Sequence, residues 1–289
     1  MFKNSPLELI GNTPLVRLYN IEKDLNLKAE LYAKLESFNW TGSVKDRAAY
    51  QIILDAKEKG LLKEHTVILE PSSGNMGISL SAIGSYFGHQ VFIVMPDSMS
   101  EERRRLIKLY GGNLILTDGK KGMSFAVSET LNIAKKYSNV FIPNQFENSS
   151  NSLAHYLTTG KEIFNDLPNV DIVVAGIGSG GTITGVGRYL KEKNHNIQII
   201  GVEPEKSPIL TQNRSGLHQI EGIGAGFIPK ILRKELIDEI YTCPDEKAFL
   251  YQKMLQEKEK IWVGISSGAA LSTAIKIASS KENKGKKIV

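Results

Sequence analysis

The chain has 289 residues, of which 41% are hydrophobic and 23% charged, with a formal net charge of +5. A chain of this length is longer than a single hydrophobic core ordinarily supports, which predicts two lobes. We expect neither a membrane span nor a secretory signal, because no apolar run is long enough to cross a bilayer and none follows the N-terminus. The single cysteine, Cys243, can form neither an internal disulfide nor a metal cluster. The sequence therefore favours the cytoplasm and predicts no bound metal. Acidic and basic residues are mixed at helical spacing, as in 101–105, which is typical of a solvated helix face and argues against nucleic-acid binding.

Short β-branched apolar runs alternate with amphipathic stretches along most of the chain. An amphipathic helix is predicted from Lys45 to about Lys59. Strands are predicted at 67–70, 91–95, 114–116, 171–175 and 197–202, and helices from 75, over 100–110 and 123–137, near 154 and from 182. Strands this apolar are typical of a parallel sheet buried on both faces. The alternating order predicts an open α/β fold that binds ligands at the C-terminal ends of its strands.

Three glycine-rich turns lie at strand ends or helix starts, at 72–75, 176–182 and 264–268. In the second, several glycines between a strand and a helix allow close approach to an anion, and the helix N-terminus favours phosphate. A tight turn without a ligand is the alternative. The same turn matches G-x-G-x-x-G through Gly176, Gly178 and Gly181, so a nicotinamide dinucleotide site remains open, with Glu203 or Glu205 as the acid that binds ribose.

Two further segments carry candidate chemistry. Lys45 falls in the first turn of its helix, where it is either an ordinary surface lysine or an amine whose pKa is lowered by burial and by the helix N-terminus, as imine formation requires. The loop 72–77 offers hydroxyls and backbone N–H groups to a carboxylate, or simply caps the following helix.

In combination, seven segments resemble the cysteine synthase family of fold-type-II pyridoxal-phosphate enzymes. They occur in the family's order and cover essentially the whole chain, at 10–15, 42–47, 73–75, 144–146, 178–182, 222–227 and 264–270. Each segment alone is weak evidence for the family, but all seven in this order are specific to it.

The resemblance implies a fold and an assembly. It implies two open parallel-sheet α/β lobes of the tryptophan synthase β-like type, with the cofactor in the cleft between them. Residues 1–35 and 146–289 would form the larger domain, which binds the cofactor phosphate, and 36–145 the smaller, mobile domain, which binds substrate. Members of the family often form homodimers, and some bind the C-terminal tail of serine acetyltransferase. The chain ends at Val289 inside a predicted strand, so we expect further residues beyond it.

The resemblance also assigns roles to individual residues. Lys45 would hold pyridoxal 5′-phosphate as a Schiff base and remove the substrate α-proton. Asn75 would contact the 3′-oxygen of the cofactor, and Ser266 its pyridine nitrogen. The phosphate would be bound by Gly178, Ser179, Gly180, Gly181 and Thr182. The substrate would be bound by Ser72, Ser73, Met76, Gln145 and Gly222, with its α-carboxylate on Ser72, Ser73 and Gln145.

The implied reaction is β-replacement on a β-substituted L-alanine through an α-aminoacrylate, as in the conversion of O-acetyl-L-serine and sulfide to L-cysteine and acetate. Met76 and Ser179 stand where threonine is usual in cysteine synthases, and both resemble β-cyanoalanine synthases. The alternative is therefore L-cysteine as the donor, with release of hydrogen sulfide and formation of a thioether or of β-cyanoalanine.

Overall fold

The computed structural model describes residues 2–289. Within them the strands are β1 (Leu15–Arg17), β2 (Glu30–Lys34), β3 (Val67–Pro71), β4 (Val91–Pro96), β5 (Asn113–Thr117), β6 (Val140–Phe141), β7 (Ile172–Gly176), β8 (Gln198–Pro204), β9 (Glu239–Cys243) and β10 (Lys287–Ile288). The α-helices are α1 (Tyr19–Asp24), α2 (Lys45–Glu58), α3 (Asn75–Tyr86), α4 (Glu101–Leu109), α5 (Gly122–Ala134), α6 (Ser149–Leu157), α7 (Thr159–Asp166), α8 (Gly181–Lys193), α9 (Ile209–Gln212), α10 (Asp245–Met254) and α11 (Ile265–Ala278). No helix of residues 2–289 combines the length and the apolar character that a membrane span requires.

The chain divides into two compact units, the smaller formed by residues 2–11 and 36–151 and the larger by 12–35 and 152–289. The smaller unit contains a four-stranded sheet in the order β5-β4-β3-β6, in which every pair is parallel. Its core joins buried side chains of α2 and α3 to those of β3 and β4. The glycine turn at 72–74 follows the C-terminal end of β3, where parallel sheets carry ligand-binding loops.

The larger unit contains a six-stranded sheet in the order β1-β2-β10-β7-β8-β9. Only the β1–β2 pair is antiparallel. The interior strands β7 and β8 are apolar because both of their faces are covered, by two separate clusters of buried side chains. The turn at 177–180 joins β7 to α8, again at the C-terminal end of a parallel strand.

The boundary between the units differs from the predicted one. Residues 2–11 and 146–151 were expected in the larger domain and belong to the smaller unit. Hydrogen bonds to residues of the smaller unit that are distant in sequence accompany both changes. The Gly11 N–H donates to Asn39 Oδ1 (2.8 Å), and the Ser150 hydroxyl donates to the Asp55 carboxylate (2.6 Å).

Candidate active site

Lys45 is the first residue of α2, and its backbone N–H donates to the Ser43 hydroxyl at 3.3 Å. The residue is half-buried, and burial lowers the pKa of its ammonium group from 10.5 to about 8. An amine with this pKa is neutral far more often near neutral pH than a solvated lysine. Of the two interpretations that the sequence left open, the structure favours the nucleophilic amine.

The residues after Lys45 hold the start of its helix rigid. Asp46 is fully buried, and its carboxylate accepts hydrogen bonds from the Thr41 N–H (2.6 Å), the Thr41 hydroxyl (2.5 Å) and the Ser79 hydroxyl (2.6 Å). Burial raises the pKa of Asp46, and these hydrogen bonds oppose that shift. Buried Arg47 forms a two-pronged ion pair with Glu36 at 2.7 and 2.8 Å. Asp46 and Arg47 therefore anchor the turn that presents the lysine.

A pH prediction follows from the lowered pKa of Lys45. When pyridoxal phosphate is added back to cofactor-free protein, the rate of covalent attachment should rise with pH and level off just above about 8, because only the neutral amine attacks an aldehyde. Rapid-mixing absorbance between pH 6.5 and 9.5 measures this rate. Nα-acetyl-lysine in solution is the control, and its rate should still be rising at pH 9.5. A protein rate that also keeps rising there would contradict the assigned pKa.

The loop between β3 and α3 carries three of the predicted contacts. The Ser72 hydroxyl oxygen accepts the Gly77 N–H at 3.1 Å, so this serine satisfies an N–H of the first turn of α3 and keeps its own proton available to donate. The Ser73 carbonyl accepts from Arg103 at 3.2 Å. Asn75 is the first residue of α3 and is exposed. The capping and ligand-binding interpretations of this loop are thus compatible.

Met76 is placed differently from the expectation. Its side chain is 1% exposed and belongs to the core of the smaller unit, together with residues of α2, β3 and β4. This burial favours the packing role of a methionine over a substrate contact.

Met76→Thr should therefore lower the free energy of unfolding by about 2–4 kcal/mol and leave the donor preference unchanged. The substitution removes buried apolar volume and places a hydroxyl in the core. Denaturant unfolding and kcat/KM for O-acetyl-L-serine and L-cysteine test both parts. Ser179→Thr, at the other position that departs from the family's usual residue, is the comparison variant. If the ratio of kcat/KM values for the two donors shifts by about tenfold while stability stays at the wild-type level, Met76 contacts the substrate instead.

Gln145 is buried, and its backbone N–H lies 3.4 Å from the carboxylate of Glu70. Glu70 also accepts the N–H of Asn144 at 2.9 Å. Burial raises the pKa of the Glu70 carboxyl from 4.5 to about 7, against the opposing effect of these two N–H groups. Glu70 was not among the predicted site residues, although a carboxylate at the end of the otherwise apolar run 67–70 is a visible signal.

The larger unit holds the predicted phosphate turn. Gly180 has φ +80° and precedes α8, which begins at Gly181, and a Cβ on Gly178 would lie 2.4 Å from the carbonyl oxygen of Gly222. The turn therefore requires glycine at both positions. Its backbone N–H groups, the start of α8 and the hydroxyls of Ser179 and Thr182 fit the phosphate of a cofactor.

Two other predicted residues lie beside this turn. A Cβ on Gly222, whose φ is +94°, would be 3.6 Å from the Ser266 hydroxyl oxygen. Ser266 is half-buried in the first turn of α11. The larger unit thus brings Gly178, Gly222 and Ser266 together. The smaller unit separately carries Lys45, Ser72, Ser73, Asn75, Met76 and Gln145.

A buried histidine that was not among the predicted site residues lies beside the predicted phosphate turn. His155 Nε2 lies 3.2 Å from the Thr182 hydroxyl, and its Nδ1 lies 2.9 Å from the Thr159 hydroxyl. If Nε2 carries the proton and donates it to Thr182, the Thr182 hydroxyl is directed to donate to an anion. No local motif links His155 to Thr182, because α6 and α8 bring them together across 27 positions of sequence.

Comparisons with known proteins identify the family. The model of the family described as "Pyridoxal-phosphate dependent enzyme" matches residues 7–289. The cysteine synthase of Buchnera aphidicola subsp. Schizaphis graminum is 45% identical over 293 residues, which cover 97% of this chain and 88% of that protein. The chain belongs to the cysteine synthase family of pyridoxal-phosphate-dependent enzymes.

Solved structures of the family agree closely with the fold. The crystal structure of a cysteine synthase from Entamoeba histolytica has a TM-score of 0.97 and 43% identity, and the match covers 100% of this chain and 86% of that one. A hydrogen sulfide-producing enzyme from Fusobacterium nucleatum has a TM-score of 0.96 and 42% identity, with 100% and 95% covered.

The family confirms the predicted cofactor, the predicted class of enzyme and the α/β fold class with two parallel-sheet domains. The dinucleotide alternative is not favoured. Glu203, one of its two candidate ribose acids, instead accepts hydrogen bonds from the N–H groups of Leu210 (2.9 Å) and Thr211 (3.0 Å). The roles of individual site residues stay predictions.

Proposed function

We propose that this protein is a cysteine synthase that replaces the acetate of O-acetyl-L-serine with sulfide, yielding L-cysteine and acetate. The observation that supports this most is the near full-length similarity to cysteine synthases. The proposal assigns the covalent link to Lys45, the phosphate to the turn 178–182, the 3′-oxygen to Asn75 and the pyridine nitrogen to Ser266.

When bound, pyridoxal phosphate supplies an electron-withdrawing group that eases loss of the α-proton and of the β-substituent. Ser266 offers only a neutral hydroxyl to the ring nitrogen, so it cannot stabilise a full positive charge there as a carboxylate would. This limited stabilisation of charge on the ring favours loss of a substituent from Cβ over chemistry that needs a long-lived carbanion. The ring environment is thus matched to β-replacement.

Lys45 moves the proton. Its Nζ, with a pKa near 8, is basic enough to take the proton from the substrate α-carbon and acidic enough to return it after sulfide has added at Cβ. Ser72, Ser73 and Gln145 would hold the α-carboxylate, with the N-terminus of α3 favouring its negative charge.

A donor panel tests the proposal. Purified holoenzyme is given O-acetyl-L-serine, O-phospho-L-serine, L-serine or L-cysteine, and L-cysteine formation and sulfide release are followed separately. We expect kcat/KM with O-acetyl-L-serine and sulfide to exceed that of every other donor by at least about tenfold, a difference of about 1.4 kcal/mol in transition-state free energy. L-Cysteine as the best donor, with sulfide released, would instead match the similarity to the sulfide-producing enzyme.

The assembly and location are proposed on the same family resemblance. We infer a homodimer in the cytoplasm, with the C-terminal tail of serine acetyltransferase as a partner in the active site. Light scattering at several concentrations tests the dimer. Competition between a tail peptide and O-acetyl-L-serine tests the partner.

A further inference from the structure

The backbone ladder between β3 and β6 stops before it reaches Gln145. Val67 pairs with Val140 and Ile68 with Phe141, and the pairing ends there. Beyond it, Pro143 has no N–H, and Asn144 adopts a left-handed conformation with φ +50°. The next two N–H groups, those of residues 144 and 145, therefore need acceptors from outside the ladder.

The Glu70 carboxylate supplies those acceptors. Its side chain is buried, and one oxygen accepts from Asn144 (2.9 Å) while the other accepts from Gln145 (3.4 Å). From the opposite direction, the side-chain amide of Asn151 donates to the Gln145 carbonyl at 2.8 Å. The backbone of Gln145 is thus held on both sides, which leaves its side-chain amide to bind a ligand.

The surroundings of Glu70 show that it does not serve an ion pair. The elements in closest contact with β3 are β4, β6, α3 and α5, and the titratable side chains that they carry are Tyr86 and Glu129. Neither is a cation, and within residues 2–289 the pKa of Glu70 is set by burial and by the two N–H groups, with no charged partner. A buried carboxylate without a cation lowers stability, so its presence is better explained by the two N–H groups that it holds.

The same strand also leads into the serine loop. Glu70 precedes Pro71, and Ser72 follows directly, with its N–H bonded to the Val94 carbonyl of β4 at 3.1 Å. One short segment therefore determines the positions of both the serine loop and the Gln145 backbone.

We propose that Glu70 is a positioning residue for substrate binding, which fixes Gln145 against the serine loop so that both can hold the α-carboxylate of the amino-acid substrate. This inference rests on the proposed function, because the carboxylate site at Ser72, Ser73 and Gln145 is part of it. Glu70 acts through the backbone of residues 144 and 145 and does not touch the substrate.

The test uses two ligands that differ only at the carboxylate. L-Alanine and L-alaninamide are titrated into the holoenzyme at pH 8, and the absorbance change of the bound cofactor gives each Kd. Glu70→Gln should weaken L-alanine binding by about tenfold, because its NH2 group replaces one of the two oxygens that accept the backbone N–H groups. The same variant should change L-alaninamide binding by less than about twofold. Glu129→Gln, on a helix packed against the same strand, is the matched control and should change neither. Hydrogen–deuterium exchange over 142–148 should be faster in Glu70→Gln alone.

The outcomes separate this inference from the function on which it rests. If wild type binds both ligands alike and Gln145→Ala has no effect, the carboxylate site fails and the inference with it. If Gln145→Ala loses L-alanine affinity while Glu70→Gln behaves like wild type, only the role of Glu70 is overturned. Equal loss of both ligands in Glu70→Gln, or in Glu70→Asp should the first variant not fold, would also overturn it.

Discussion

Lys45→Ala should abolish the covalent link to the cofactor and reduce turnover by at least about 10²–10⁴-fold. The lower limit is the usual contribution of a positioned general base, and loss of the covalent link adds to it. The variant should still bind pyridoxal phosphate noncovalently through the turn 178–182. Absorbance of the linked cofactor, its bleaching by borohydride and steady-state turnover measure these effects.

Lys59→Ala is the matched control, because Lys59 is an exposed lysine at the C-terminal end of the same helix. It should keep both the covalent link and activity. A small primary amine added to Lys45→Ala should restore part of the turnover if the missing group is the amine itself. Wild-type absorbance and turnover in Lys45→Ala would refute the central assignment.

Gly181→Asp should cause the holoenzyme to lose its cofactor on dialysis. Gly181 is buried at the first position of α8, where we assign the phosphate dianion. An aspartate there places a negative charge beside the phosphate and occupies the N–H-rich helix start. Cofactor content per chain after dialysis, and Kd on adding pyridoxal phosphate back, give the magnitude, which we expect to be at least about a hundredfold in Kd, or about 2.7 kcal/mol.

Gly181→Asn separates the effect of charge from that of size, because asparagine is nearly the same size as aspartate but uncharged. We expect it to lose much less affinity than the aspartate variant. The aspartate should not by itself weaken α8, because acidic residues stabilise helix N-termini. Full cofactor occupancy in Gly181→Asp would remove the phosphate from this turn.

The buried carboxyl group of Glu70 makes the stability of the protein depend on pH. The pKa of Glu70 is raised to about 7, so its contribution to stability is present below about 4.5 and is lost as the pH rises through about 7. Replacing it with glutamine removes this titration. At pH 8 the substitution therefore relieves the cost of an ionised buried carboxylate but leaves one backbone N–H group without its acceptor. Denaturant unfolding of Glu70→Gln at the same pH separates a loss of substrate affinity from a loss of folding.

The sequence alone determined the elements with a strong local pattern and the family. The apolar runs at 67–70, 91–95 and 171–175 are strands because β-branched side chains buried on both faces leave no polar alternation. The helix of Lys45 was predicted from 45 to about 59 and observed over Lys45–Glu58, since its period and its start are both local signals. Seven short motifs in order identified the family because each reflects a turn or a reactive group whose geometry permits few residue types.

Tertiary structure decided what depends on contacts between distant parts of the chain. Met76 is a core residue because helices and strands close around it, although the family resemblance had predicted a substrate contact at this position. Glu70 meets Gln145 across 75 positions of sequence, and His155 meets Thr182 across 27. Such pairs leave no periodicity or spacing to detect, since burial and hydrogen-bond partners are set by packing.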